Sequence, residues 1–243
     1  MKFYKSINLN CIKVLSFDLD NNIYDCQSVL SSAENWFSEY LTDKYNLMPF
    51  CKDYSFWAQI KKELLLQQPR LEDDVTLLRA KSLVIAFEYL KQPLKGGLEE
   101  AQSLVSEFIK KRSAGFVSAE VIQMLEKLKQ KYRMISVSNG NLDTRILKVD
   151  HLFEYDLRPK MGVFKCKPYL DLFNECSRIT KVSPHEILHI GDDPYTDVYG
   201  AISAGFNCAW LYKGYTGISN DERHLKVLPH IQLDNILELD SLL

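Results

Sequence analysis

The sequence lacks the long apolar runs and basic blocks that mark membrane and nucleic-acid-binding proteins. No stretch of about 20 consecutive apolar residues occurs, and the first 20 residues are too interrupted by polar side chains to resemble a signal peptide. The formal net charge of the 243 residues is −2. Because nucleic-acid binding depends on clustered basic residues, we expect neither a nucleic acid nor a membrane as partner. We expect a cytoplasmic protein, a monomer or homodimer, that acts on a small molecule.

The six cysteines and five histidines show no arrangement typical of a metal site. No C-x-x-C pair is present, and no cysteine lies at zinc-ligand spacing from a histidine. The cysteines are predicted to be reduced thiols, most of them buried. The histidines are expected to have surface or packing roles.

What is present is the composition of a soluble globular protein, with 46% hydrophobic and 26% charged residues. Apolar runs typical of strands alternate with apolar residues at helical spacing, which predicts an α/β fold with a mainly parallel sheet. The predicted strands are 12–17, 134–137, 153–157, 187–190 and 208–211. The predicted helices are 118–130, 167–179 and 197–205, and a helical turn is expected to begin at Ser183, which has the capping-box pattern.

One long segment interrupts this alternation. From about residue 28 to 112 the apolar residues follow helical spacing, with little strand signal. We therefore predict two units. Residues 1–24 and 113–243 form the α/β core, and residues 25–112 form an inserted all-helical domain.

Polar groups follow the first two predicted core strands. Asp18 and Asp20 come directly after the first strand, and Ser138 and Asn139 follow the second. Open α/β sheets bind ligands at the carboxyl ends of their strands, so these groups are candidates for one site. Taken alone, a D-x-D pair is most often a solvated turn, and Ser-Asn-Gly is an ordinary turn sequence.

Two more groups lie later in the chain. Lys167 precedes a proline, and Asp192, Asp193 and Asp197 follow another strand. Clustered acids suit a hard cation such as Mg²⁺, although an aspartate that caps a helix would look the same. All four groups together predict a phosphoryl-transfer site. A phosphate dianion repels a carboxylate nucleophile unless a cation and a lysine neutralise its charge.

The segments SFDLDNNIYD, SVSNGN, KCKP and HIGDDPYTDVYGAISAG resemble, in this order, the four motifs of the haloacid dehalogenase superfamily. The resemblance implies a Rossmann-like core with a helical cap, and a phosphatase that depends on Mg²⁺. Asp18 would form an aspartyl-phosphate, and Asp20 would act as general acid and base. Asp18, the backbone carbonyl of Asp20 and Asp192 would hold the metal ion, supported by Asp193 and Asp197.

The same resemblance places Ser138, Asn139 and Lys167 around the transferring phosphoryl group. Lys165 is the weaker candidate for the lysine, because Lys167 has the adjacent proline. The sequence departs from the family pattern at Asn22, where threonine is common. Asparagine keeps the capacity for hydrogen bonds but lacks the hydroxyl, so lower activity or an altered loop is an open alternative.

Both ends of the chain resemble a bacterial group of these phosphatases. That group acts on flavin mononucleotide and on the riboflavin precursor 5-amino-6-(5-phospho-D-ribitylamino)uracil, and the resemblance implies one of them as substrate. Trp36, Phe37, Phe56 and Trp57 of the insert are candidates for a flat face against a ring, although core packing uses the same pattern. Alternatives are a phosphatase for a sugar phosphate or phosphoglycolate, a phosphomutase, a dehalogenase, and a weakly active phosphate-binding regulatory protein.

Overall fold

The centre of the molecule is a seven-stranded sheet, in a computed structural model that describes residues 1–47, 54–217 and 224–242. The strand order is β1-β7-β6-β5-β2-β3-β4. Every neighbouring pair is parallel except β1 with β7. The prediction of an α/β fold with a mainly parallel sheet is therefore confirmed. The strands are β1 (Lys2–Phe3), β2 (Val14–Phe17), β3 (Arg133–Val137), β4 (Tyr155–Leu157), β5 (Ile187–Gly191), β6 (Asn207–Leu211) and β7 (Ile231–Leu233).

Helices cover both faces of the sheet, which is why every residue of the central strands β2 and β5 is buried. In β2, Leu15 and Phe17 pack with one helical layer, whereas Val14 packs with the other. The backbone N–H of Asp18 donates to the carbonyl of Ile190 at 2.9 Å, so β2 and β5 end at the same level. The core helices are α5 (Ala119–Lys131), α6 (Asp171–Thr180), α7 (Gly200–Ser203) and the 3₁₀ helix Ile236–Leu242.

The observed elements differ from the predicted ones mainly at their ends. β2 begins at Val14 rather than residue 12, and β4 begins at Tyr155 rather than residue 153. The helix predicted over 197–205 begins earlier, with a π-helical turn from Pro194 to Tyr199 that continues into α7. The short strands β1 and β7 were not predicted, because two or three residues are too few to show a period.

The described residues of the long stretch between β2 and α5 form four α-helices and the 3₁₀ helix Pro69–Asp73, and we call this stretch the helical segment. Its helices pack around an apolar cluster of their own, which includes Phe37, Leu83 and Phe108. This agrees with the predicted helical insert, whereas its role as a separate domain stays a prediction. No described helix has the length and apolar character needed to cross a membrane. The helices are α1 (Cys26–Tyr45), α2 (Tyr54–Gln67), α3 (Val75–Tyr89) and α4 (Gly97–Ser113).

The described cysteines are unpaired thiols, as predicted. Cys26, Cys176 and Cys208 are buried, whereas Cys11 is exposed. Cys51 lies outside the described residues.

Candidate active site

A buried lysine lies between two carboxylates at the carboxyl ends of the central strands. Nζ of Lys167 donates to Oδ1 of Asp18 at 2.9 Å and to Oδ1 of Asp197 at 2.6 Å. The Lys167 side chain is 1% exposed. Burial opposes its charge, but the two carboxylates outweigh burial and raise the pKa of Lys167, so the ammonium stays charged.

One lysine does not neutralise both carboxylates. Burial raises the pKa of Asp18 to about 6; Lys167 opposes this rise, and the negative charges of Asp197 and Asp20 add to it. Burial also disfavours the charge on Asp197, but Lys167 and the hydrogen bond from His189 outweigh it and lower the pKa of Asp197. Asp197 therefore keeps its charge, and Asp18 is the carboxylate that needs a further cation.

Asp18, Asp192 and Asp197 place carboxylate oxygens within 4.8 Å of one another. Asp197 already accepts hydrogen bonds at both oxygens, from Lys167 and His189 at Oδ1 and from the backbone N–H of Asp193 at Oδ2. These contacts hold Asp197 beside the lysine. Asp18 and Asp192 offer carboxylate oxygens, the kind of ligand that suits Mg²⁺. This excess of acids over one buried lysine fits the predicted metal ion.

Asp193 has a different local role. Its Oδ1 accepts from the backbone N–H groups of Tyr195 and Thr196, both at 2.8 Å, and so caps the helical turn that follows. The absence of a side chain at Gly191 leaves room for the carboxylate of Asp197, since a Cβ at Gly191 would lie 2.3 Å from Cγ of Asp197. The Gly-Asp-Asp sequence thus combines a close backbone approach, a candidate metal ligand and a helix cap.

The predicted phosphate-binding residues lie at the end of β3. Ser138 is buried, and its Oγ accepts from the backbone N–H of Gly140 at 3.3 Å. The side chain of Asn139 holds the backbone of Lys167 through two hydrogen bonds of 2.7 and 2.9 Å. Asn139 therefore positions the lysine with its side chain, which leaves its backbone for contact with a phosphate. Lys165 is exposed, with Nζ 4.5 Å from the ring centre of Tyr169.

Asp20 is held by groups that sequence reasoning missed. Nη2 of Arg112 donates to Oδ1 of Asp20 at 2.8 Å, and the hydroxyl of Tyr24 donates to the same oxygen. Nη1 of Arg112 donates to Oδ1 of Asn141 at 3.1 Å. Arg112 is 3% exposed and lies in the last turn of α4, so it joins the helical segment to the predicted acid and base. A Cβ at Gly140 would lie 2.3 Å from Oδ2 of Asp20, so glycine is needed there.

Asn22 and His189 form hydrogen bonds that hold parts of the site in place: Asn22 holds the ends of β2 and β5, and His189 holds the side chain of Asp197. Nδ2 of Asn22 donates to the carbonyls of Asp18 at 2.8 Å and Ile190 at 3.2 Å, which joins the ends of β2 and β5. His189 is fully buried and lies 2.9 Å from Oγ of Ser16 and 3.1 Å from Oδ1 of Asp197. Burial lowers its pKa. His189 has the packing role expected from the sequence, and it also holds Asp197.

The helical segment lies against the core loops that carry the site. The backbone N–H of Cys166 donates to Oδ1 of Asp73 at 2.8 Å, one residue before Lys167. Nδ2 of Asn141 donates to Oγ1 of Thr76 at 3.2 Å. The start of α3 therefore faces the loops after β3 and before α6.

Comparison with known proteins agrees with this architecture. The model of the haloacid dehalogenase-like hydrolase family matches residues 12–205. The 5-amino-6-(5-phospho-D-ribitylamino)uracil phosphatase YigB of Escherichia coli K12 is 28% identical, with 100% of each chain covered. The N-acylneuraminate-9-phosphatase of Rattus norvegicus is 23% identical, with 98% of this chain and 96% of that protein covered. A crystal structure of a 2-haloacid dehalogenase from Pseudomonas syringae pv. Tomato DC3000 has a TM-score of 0.78 and 26% identity, covering 95% of this chain and 97% of that one.

Proposed function

The chain belongs to the haloacid dehalogenase-like hydrolase family, and from this premise we propose that it hydrolyses a small phosphate monoester with Asp18 as nucleophile. The observation that carries the proposal is the buried Lys167 between Asp18 and Asp197, beside Asp192. A carboxylate that approaches a phosphate dianion needs positive charge beside it, which Lys167 supplies and a cation held by Asp18 and Asp192 would add. The two phosphatase relatives, which match nearly the whole chain, support the same reaction class.

The reaction would proceed in two steps. First, a carboxylate oxygen of Asp18 attacks phosphorus, the bond to the ester oxygen breaks, and Asp20 gives its proton to the leaving alcohol. Asp20 then takes a proton from water, whose oxygen attacks phosphorus and breaks the bond to Asp18, so that inorganic phosphate leaves. Throughout, Lys167 binds a phosphoryl oxygen, and Ser138 with the backbone after β3 binds another.

The metal site would comprise Asp18, Asp192 and the backbone carbonyl of Asp20. Mg²⁺ bound there would neutralise charge on the phosphoryl oxygens. Asp197 would support this site without binding the ion, because its oxygens hold Lys167, His189 and the backbone of Asp193.

We assign the helical segment as a cap over the core. It contacts the loop before Lys167 through Asp73 and the loop after β3 through Thr76. A cap in this place shields a reactive acyl phosphate from bulk water and excludes phosphoproteins, so the substrate is a small metabolite. The 5-amino-6-(5-phospho-D-ribitylamino)uracil phosphatase of Escherichia coli matches the chain from end to end, which favours that ester as substrate. Flavin mononucleotide is the second ester that the resemblance of the chain ends implies.

The test is a panel of phosphate esters assayed for released inorganic phosphate with and without Mg²⁺. We expect kcat/KM to be highest for the two ribityl phosphates. A tenfold preference for phosphoglycolate or a simple sugar phosphate corresponds to about 1.4 kcal/mol of transition-state binding. It would refute the substrate assignment without contradicting the phosphatase reaction. Transfer of phosphate to a second sugar position without release would indicate a mutase. Binding without turnover of any ester would indicate a regulatory protein.

A dehalogenase is the second candidate, because a 2-haloacid dehalogenase is the structural neighbour with a TM-score of 0.78. Halide leaves without a proton and without a metal ion. A dehalogenase would still use Asp18 as its nucleophile, but it would give no role to Asp20, which Arg112 and Tyr24 hold in place, or to Asp192 as a metal ligand. Halide release from 2-chloropropionate, measured beside phosphate release from an aryl phosphate, separates the two reactions.

A further inference from the structure

Arg158 follows β4, a strand at the edge of the sheet, and its guanidinium bonds to the loop after β3. Nη1 donates to the carbonyl of Gly140 at 2.8 Å, and Nη2 donates to the carbonyl of Leu142 at 3.2 Å. Gly140 comes directly after Ser138 and Asn139, the predicted phosphate-binding residues. The proposed reaction gives Arg158 no part, yet its guanidinium holds the main chain of the loop that would receive the phosphoryl group.

A carboxylate fixes the direction of this guanidinium. Nε of Arg158 donates to Oδ1 of Asp156 at 2.8 Å, and Nη2 donates to Oδ2 at 3.1 Å. Two parallel bonds of this kind fix the plane of a guanidinium. Asp156 lies opposite Ser136 in the register of β3 and β4, and Oγ of Ser136 donates to Oδ1 of Asp156 at 2.5 Å. A chain of hydrogen bonds therefore runs from the sheet, through the carboxylate and the guanidinium, to the loop.

The held carbonyls set the direction of the N–H groups beside them. In a planar trans peptide unit the carbonyl and the N–H point in opposite directions. The carbonyl of Leu142 faces Arg158, and the N–H of the same unit, which belongs to Asp143, donates to Oγ of Ser113 at 2.8 Å. The carbonyl of Gly140 also faces Arg158, so the N–H of the following residue points away from the guanidinium. A peptide unit held at its carbonyl cannot rotate, and its N–H keeps one direction.

The same loop is joined to the buried lysine. The side chain of Asn139 bonds to the backbone of Lys167 at 2.7 and 2.9 Å, so the loop and the lysine form one frame around the phosphoryl site. Asp20 is held separately, because Arg112 and Tyr24 donate to its carboxylate. Loss of the guanidinium should therefore disturb the binding of the phosphoryl group more than the transfer of the proton.

A second aspartate–arginine pair with the same spacing lies on the surface nearby. Nε and Nη2 of Arg145 donate to the two carboxylate oxygens of Asp143, at 3.1 and 2.8 Å. Within the part of the chain that the structure describes, the Arg145 guanidinium donates to no other residue. The Arg145 side chain is 79% exposed, whereas that of Arg158 is 20% exposed. The two pairs share their bidentate geometry, and Arg158 differs in that it also holds the loop.

We propose that Arg158 is a positioning residue for phosphoryl transfer, because it fixes the loop whose backbone would bind a phosphoryl oxygen. The inference rests on the proposed phosphatase function and adds a residue to its site. Arg158 acts through the carbonyls of Gly140 and Leu142 rather than on the substrate. Donors that are already in place stabilise the charge of a transition state without reorganising. A displacement of about 1 Å at such a site can cost about a hundredfold in rate.

The test compares the two arginines. Arg158→Met removes the donors and keeps the apolar stem, and Arg145→Met makes the same change in the exposed pair as the matched control. Arg158→Lys keeps the charge but replaces the planar fork with a single ammonium, which cannot serve Asp156 and both carbonyls in one plane. Each variant is assayed with p-nitrophenyl phosphate and with the alkyl phosphate that wild type prefers. Orthovanadate, which adopts the five-coordinate geometry of a transferring phosphoryl group, probes the site without turnover.

We expect kcat to fall at least tenfold in Arg158→Met and KM to change less, because fixed donors act mainly on the transition state. The loss should be equal for the two esters, since Asp20 keeps its bonds from Arg112 and Tyr24. The inhibition constant of orthovanadate should rise by a similar factor. Arg158→Lys should stay at least threefold below wild type, and Arg145→Met should lie within twofold of it.

The outcomes separate this inference from the proposed function. If wild type hydrolyses no phosphate ester, the proposed function is wrong, and the inference falls with it. If wild type is active but Arg158→Met keeps kcat and the inhibition by orthovanadate within twofold, the positioning role alone is wrong. A lower midpoint of thermal unfolding with unchanged kinetic constants would likewise assign Arg158 to the fold only, and a loss confined to one ester would contradict a role in phosphoryl binding.

A milder variant decides the question if Arg158→Met does not fold. Asp156→Asn keeps an acceptor for Ser136 but turns an amide N–H₂ towards Nη2 of Arg158, so the guanidinium is no longer fixed. This variant should lower kcat at least threefold for both esters. Wild-type kinetics in Asp156→Asn would overturn the proposal.

Discussion

The core and the helical segment hold their charged residues in different ways. In the core, Lys167 is 1% exposed and bonded to two carboxylates, and its backbone is fixed by Asn139. In the helical segment, the Glu34 side chain of the Glu34–Arg79 pair is 40% exposed and lines an open cavity. A fixed charge array suits a reaction whose geometry does not vary, whereas an open polar cavity suits selection among substrates. The comparison teaches that the charges of the core are fixed by buried hydrogen bonds, whereas those of the helical segment are partly open to solvent.

The largest expected effect comes from the core. Asp18→Asn should abolish turnover, because the amide is a poor nucleophile of nearly the same shape. The fold should persist, since Lys167 keeps its bond to Asp197. Phosphate release and thermal unfolding measured on the same preparation check both points. Wild-type activity in this variant would contradict covalent catalysis by Asp18.

Removal of the metal ion should have an effect nearly as large. Exhaustive chelation is expected to stop hydrolysis, and added Mg²⁺ should restore it, because Asp18 and Asp192 are the proposed ligands of the metal ion. Asp192→Ala should lower activity and raise the Mg²⁺ concentration that half-maximal activity requires. Glu34→Gln is the contrast, since a charge removed from the helical segment should leave the Mg²⁺ dependence unchanged. Full activity after chelation would exclude the metal site.

Arg112 is an exception to the division between core and helical segment, because it lies in the helical segment but binds Asp20 of the core. Arg112→Met should lower kcat for alkyl phosphates about tenfold, because Asp20 loses the contact that positions it. The loss should be smaller for p-nitrophenyl phosphate, whose leaving group needs less help from a proton. Lys111→Met, at the exposed neighbouring residue, is the control. Equal losses for both esters would mean that Arg112 only supports the fold.

The sequence allowed prediction of those site residues that end apolar strands. Asp18 and Asp192 follow buried runs, and the parallel sheet brings their strand ends together. Arg112 was not identified, because its contact with Asp20 joins positions 92 residues apart and depends on the path of α4. His189 was recognised only as packing, since a histidine inside a buried strand shows no sign of the carboxylate it holds. Long-range side-chain contacts of this kind have no local pattern.

The smallest expected effect concerns Asn22, whose side chain bonds to the backbone of Asp18, the proposed nucleophile. Asn22 is fully buried, and its amide group donates to the carbonyls of Asp18 and Ile190. A threonine hydroxyl has one proton, so Asn22→Thr satisfies only one of the two carbonyls and should cost about 0.5–1.5 kcal/mol of stability. Turnover should change by no more than about threefold, or about 0.7 kcal/mol, because Lys167 still holds the side chain of Asp18. Steady-state rates and thermal unfolding together measure the two effects. Asn22→Asp is the matched contrast, because it keeps the shape but removes the donors and adds another carboxylate to the acidic cluster that contains Asp18, so its loss should be far larger. An inert parent that gains hydrolysis on Asn22→Thr would instead show that asparagine disables this site.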